Sequence, residues 1–141
     1  MVLYQDIAKA VTMVIKEAFP NVPIYGDEVQ EGYKTPSFFV GIMPVSSVNH
    51  TKSIKEEQLL ITVSYFSNTT ESLKNYRVMQ ELKSAFGQVL GVDNRKFTIQ
   101  ETNTEKVGED GDIYQFTFDI NYYELASSES DSVLAKEIIY K

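Results

Sequence analysis

The sequence predicts an α+β domain, with an antiparallel or mixed β-sheet and two helices packed on one face, in the order α-β-β-α-β-β. Three observations predict it. Segments 3–19 and 69–90 repeat their apolar residues at helical spacing. Segments 58–66 and 113–123 alternate apolar and polar residues, as half-buried strands do. The 141 residues are 43% apolar and 23% charged, which suits one hydrophobic core and not a disordered chain.

In the first helix, Leu3, Ile7, Val11, Val14 and Ala18 form a stripe that Ile15 and Phe19 widen, and Pro20 and Pro23 end it. Ile24-Tyr25 begins a short strand. A polar loop follows over 26–36, punctuated by Gly26, Gly32 and Pro36. Phe38 to Val45 is apolar on both alternating faces, so it reads as a strand covered on both sides. Pro44 marks an edge or a strand end. Residues 46–56 read as a long polar hairpin tip. In the returning strand, Leu59, Ile61, Val63 and Tyr65 share one face.

Asn68 and Glu71 give a capping signature for the second helix. Its predicted stripe is Leu73, Tyr76, Met79, Leu82, Phe86 and Val89, with Gly91 as the residue that ends it. Arg95 to Thr102 reads as a short strand with Phe97 and Ile99 inward. Residues 103–112 are polar and end in Glu109-Asp110-Gly111-Asp112, a turn signal. Tyr114, Phe116, Phe118, Ile120 and Tyr122 then alternate along the clearest strand. Residues 1–124 are expected to form one domain. Residues 125–141 read as a serine-rich linker and a docking segment carrying Val133, Leu134, Ile138 and Ile139.

Composition narrows the function. The chain has no cysteine, which removes disulfides, thiolate catalysis and Cys-ligated zinc. A net charge of −7 disfavours a nucleic-acid-binding surface, which needs clustered Lys and Arg. Lys52 and Lys55 are the best basic pair, but Glu56 and Glu57 follow at once. Residues 1–6 show no basic region of a secretory signal, and Phe38 to Val45 is too short to span a bilayer.

Candidate chemistry is sparse. His50 is the only histidine and reads as a surface residue without an orienting partner or nucleophile. Glu109, Asp110 and Asp112 lack calcium-loop spacing and read as a turn around Gly111. Glu28 with Glu31, and Glu56 with Glu57, read as solvated loop charges rather than paired catalytic carboxylates. Met13, Met43 and Met79 read as core. No catalytic, cofactor-binding or metal-binding residue is expected, and neither is an enzyme activity. The aromatic content of 12% fits either sheet packing or contact anchors such as Tyr33, Phe39, Tyr65, Tyr122 and Tyr123.

Three stretches carry a family resemblance. They are Ala18-Phe19-Pro20-Asn21-Val22-Pro23-Ile24-Tyr25 after the first helix, Gly32-Tyr33-Lys34-Thr35-Pro36-Ser37-Phe38-Phe39-Val40, and Tyr114-Gln115-Phe116-Thr117-Phe118-Asp119-Ile120-Asn121-Tyr122-Tyr123-Glu124. Together with the element order, they make the chain resemble the tail terminator family of long-tailed phages and phage-derived contractile particles, in its Gram-positive form. The resemblance implies a structural virion protein, assembled as a ring (typically hexameric) on the head-proximal end of the tail tube. There it would end tube polymerisation and offer a joining surface to head or neck. It implies the tube protein, and sheath or neck proteins, as partners. It implies no cofactor, membrane or specific nucleic acid. Candidate interface residues are Tyr33, Phe39, Met43, Lys52, Lys55, Val133, Leu134, Ile138 and Ile139. The tail is expected to dock either on its own domain or on a neighbouring subunit or head-side partner, with the partner preferred because the core reads as complete by Tyr123. The alternative readings are a small-ligand-binding or regulatory α+β domain, or another head–tail junction protein.

Overall fold

In the computed structural model, which describes residues 2–26, 31–108 and 112–125, the first amphipathic segment forms α1, Tyr4–Ala18. Ile7, Val11 and Ile15 recur every fourth residue and are buried, with Val14 and Phe19 packed beside them. Leu3 and Ala18, at the helix ends, are exposed, as is Met13, so these three lie off the core stripe.

The main sheet holds β1 (Ile24–Gly26), β2 (Ser37–Asn49), β3 (Ile54–Phe66), β6 (Thr102–Val107) and β7 (Ile113–Leu125). Its spatial order is β1-β2-β3-β7-β6. The β1–β2 pair is parallel and the others are antiparallel, so the sheet is mixed. Register places like with like across β2, β3 and β7: Phe38 opposite Tyr65, which is opposite Tyr114; Val40 opposite Val63, which is opposite Phe116; and Ile61 opposite Phe118. These residues share the face that the helices cover. Each fully buried apolar side chain there contributes about 1.5–3 kcal/mol of transfer free energy. The α+β class and the two helices on one face are as the sequence predicts.

The second helix, α2, spans Ser72–Phe86 and is shorter than the predicted 69–90. Gly87 ends it, at φ +62, a left-handed geometry suited to glycine, and its N–H donates to Lys83 O at 3.0 Å. Gly91 is not the terminator. Val89 and Leu90 belong to β4 (Val89–Val92), which pairs with β5 (Arg95–Thr98) as a small second sheet. Leu90, Val92 and Phe97 of that hairpin join the core. The buried stripe of α2 is Asn75, Met79, Leu82 and Phe86, whereas Leu73 is 82% exposed and Tyr76 is exposed. Asn68 does not cap the helix; Glu71 occupies the N-cap position without a side-chain bond.

The polar stretch 103–112, in which no strand is predicted, contains one. β6, Thr-Asn-Thr-Glu-Lys-Val, pairs along β7 as an edge strand. Most of it faces solvent, so no apolar alternation marks it. Residues 109–111, with the acidic calcium-like pattern, and Glu28 lie outside the described residues. So does the segment 126–141.

A candidate contact site on the sheet arm

The strands β2, β3 and β7 are each 13 residues long, more than the helices cover. Burial along β2 passes from full at Ser37–Val40 to exposed from Met43 onward. The outer halves of the three strands therefore leave the body as an arm, formed by 45–49, 54–58 and 121–125. The predicted long polar tip over 46–56 is mostly this paired arm; only residues 50–53 turn. The Thr51 hydroxyl holds that turn by accepting the N–H groups of Ser53 and Ile54, each at 3.0 Å.

β1 pairs only with Phe38, Phe39 and Val40. Beyond that point the outer edge of β2 has no partner strand among the described residues. Pro44 sits on this edge, where its missing N–H costs no ladder bond, and the register shifts between Pro44 and Ser46. Thus Pro44 marks an edge, as predicted, but not a strand end. Met43, expected in the core, is exposed beside it.

The arm has two unlike faces. On the helix side, Lys55, Glu57, Tyr122 and Glu124 face the N-terminal residues Val2–Tyr4 across an open cleft of ≈ 290 Å³. Val2 N–H donates to Glu124 Oε2 at 3.0 Å, and Arg95 Nη1 lies 3.6 Å from the same oxygen. The Arg95 guanidinium lies over the rings of Phe97 and Tyr122, 5.1 and 5.4 Å from their centroids. Burial pushes the Tyr122 hydroxyl up to about 12; Glu57, Tyr4 and Glu124 add to the shift and Arg95 opposes it. Tyr122 therefore stays protonated at neutral pH and serves as a packing anchor, not as a base. The cleft is a surface recess with a charged rim. Val2, Leu3, Tyr4 and Tyr122 give it an apolar lining, and Lys55, Glu57 and Glu124 are its charged groups.

On the opposite side, Val48, Ile54, Tyr123 and Leu125 form an apolar strip that Glu56 interrupts, since Val48 pairs with Glu56 and Glu56 with Tyr123, while Ile54 pairs with Leu125. Tyr123 and Leu125 are 58% and 71% exposed. At its rim, His50 Nε2 lies 2.8 Å from Glu56 Oε1, and its ring is 5.9 Å from that of Tyr123. His50 thus has a carboxylate partner, where the sequence predicts none. Among the described residues no group of three or more His, Cys, Asp or Glu is arranged to hold a metal.

Towards the body the same sheet face turns polar, with Gln58, Thr62, Ser64, Gln115, Thr117 and Asn121 in register across β3 and β7. It then ends in an aromatic cluster. Tyr33 meets Phe39 and Phe66 edge-on, at 5.2 and 5.3 Å, and Tyr25 lies 5.3 Å from Phe39.

The candidate interface residues thus separate. Met43, Lys52 and Lys55 are all exposed but do not converge: Met43 faces away from the helices beside Pro44, Lys52 lies in the turn at the arm's tip, and Lys55 lies on the helix-side face. Tyr33 and Phe39 lie at the other end of the sheet, packed on each other, with Phe39 buried. Val133, Leu134, Ile138 and Ile139 are outside the described residues. Sequence reasoning missed Val48, Ile54 and Leu125. The apolar residues Val48 and Ile54 on either side of the polar 49–53 were the available signal.

Comparison with known proteins bears on this geometry. A family described as phage tail terminator protein matches residues 6–132. No curated protein matches the chain. One solved structure, whose name carries no functional description, is 12% identical with a TM-score of 0.51, over 87% of this chain and 96% of its own. A chain of the virion of a native gene transfer agent (GTA) particle is 11% identical with a TM-score of 0.47, over 87% and 91%.

Proposed function

The chain belongs to the phage tail terminator family, so it is a structural component of a phage or phage-like tail, and we propose that it caps the head-proximal end of the tail tube as a ring. In this reading the ring is hexameric. It stops tube polymerisation and presents the surface to which head or neck attaches, in a contractile particle of the Gram-positive type. Tube protein, and sheath or neck proteins, are its partners, and the protein carries out no reaction.

The observation that carries this reading is the family match over residues 6–132. The geometry supports it in one respect. A ring needs heterologous contacts, in which one patch meets a different patch on its neighbour. The open β2 edge beyond Val40 and the opposite β6 edge are two unlike edges on two sides of one sheet. An exposed edge left unmanaged would invite indiscriminate pairing, and a closed ring consumes it.

The test is electron microscopy of tail tubes incubated with the protein carrying a bulky N-terminal tag. Extra density at one tube end only, with sixfold symmetry in end views, is the expected image. Density along the tube sides, or at both ends equally, would contradict a head-proximal cap.

A further inference from the structure

The apolar strip on the arm has a candidate occupant within the same chain. The sequence continues past Leu125, a strip residue, into 126–141. Residues 126–132, Ala-Ser-Ser-Glu-Ser-Asp-Ser, have the composition of a flexible tether. Val133, Leu134, Ile138 and Ile139 follow. The family match stops at residue 132, so this apolar set lies beyond the part shared with the family.

We infer that residues 133–139 dock on the strip of Val48, Ile54, Tyr123 and Leu125 of their own subunit. Reach and concentration decide between its own segment and a neighbour's. A flexible tether of the length of 126–132 has a root-mean-square span of about 15 Å. The strip begins at the tether's point of departure and extends across three strands spaced about 4.8 Å apart. The tether therefore holds the segment at an effective concentration on the order of millimolar. A second free copy reaches that level only in equally concentrated protein. The chemistry matches as well: aliphatic side chains meet Val48, Ile54, Leu125 and the face of Tyr123 around Glu56, whose carboxylate has His50 as partner, and both sides lose water-exposed apolar area. Of the two sites the sequence leaves open, its own domain and a partner, the segment takes the first, although a core complete by Tyr123 favours the partner. This concentration advantage belongs to the free subunit, and docking is inferred for that state, without resting on ring formation.

The chain has no cysteine, so an engineered pair reports without background. Two full-length double variants are compared under mild oxidation at micromolar protein: Val48→Cys with Ile138→Cys, and Lys55→Cys with Ile138→Cys. Lys55 lies on the arm's other face and pairs with Glu124, nearer the tether than Val48. Tethering alone therefore favours the Lys55 control. The expected result is a monomeric disulfide in the Val48 variant, formed about tenfold faster than in the control and at a rate independent of protein concentration. Adding Leu134→Asp should return that rate to the control value. Equal rates in the two pairs would overturn the proposal, because the tether alone would then account for the cross-link. So would a disulfide found only in dimers, which would make a second copy the occupant.

Discussion

The hydroxyl of Ser67 donates a 2.6 Å hydrogen bond to Oδ1 of Asn75, and both residues are buried. The amide of Asn75 in turn donates to Thr69 O at 3.0 Å, and the Ser67 hydroxyl accepts the Thr69 N–H, also at 3.0 Å. Ser67 N–H reaches Asp112 O at 2.8 Å. This polar knot joins the end of β3, the start of α2 and the segment leading into β7. It spends one position of the helix's buried stripe on an amide. The gain is that backbone groups at a buried chain reversal are satisfied.

Asn75→Ala should therefore cost about 1–3 kcal/mol, because Ser67 and Thr69 O lose their partner in a buried site. Urea denaturation measures it. An unchanged midpoint would mean that water replaces the amide and the knot does not hold the connection.

The two faces of α2 should respond differently to the same truncation. Leu82 is fully buried, so Leu82→Ala should cost about 2–5 kcal/mol. Leu73 is exposed, so Leu73→Ala should change stability by no more than about 0.5 kcal/mol. Similar losses at both positions, by thermal or urea melts, would contradict the packing of α2 described above.

Alkaline titration probes Tyr122. Its hydroxyl is raised to about 12, chiefly by burial, from an ordinary value of 10.0. Above pH 10 the unfolded chain releases this proton before the folded one does, so stability falls as pH rises. The contribution is whole below pH 10 and lost as pH passes about 12. Tyr122→Phe cannot ionise and keeps the ring beside Phe97, so it should flatten the loss of stability over that window. A decline as steep as in the unaltered protein would assign it to other groups.

His50→Ala should leave melting and tube capping unchanged, since the His50–Glu56 pair is exposed at the arm tip and no reaction is assigned to it. Loss of capping with the fold intact would make the tip a specific contact.

Legibility from sequence followed burial. Tyr114, Phe116, Phe118, Ile120 and Tyr122 could be placed on one face because every second residue meets the helices, and the alternation records that. β6 was illegible because an edge strand exposed to water needs no apolar period. The end of α2 was misread because Phe86 and Leu90 fall four apart, like helical neighbours, while Gly87 between them turns the chain into β4. Asn75 was missed because a polar residue on a helix stripe earns its place only through Ser67 and Thr69. The arm was misread because its polar residues pair between strands that protrude from the core, where hydrogen bonding sets the structure and burial does not. The contact site was the least legible part, because Met43 reads as a core residue and Val48 as part of a polar tip until the helices prove too short to cover the strands that carry them.

The most direct test of the account is the length distribution of tubes grown in vitro from the cognate tube protein, with and without this protein. The account predicts that adding it stops growth at one end and gives shorter tubes whose mean length falls as its ratio to tube protein rises. Tubes that reach the same lengths at every ratio, with the protein bound or not, would contradict the terminator reading.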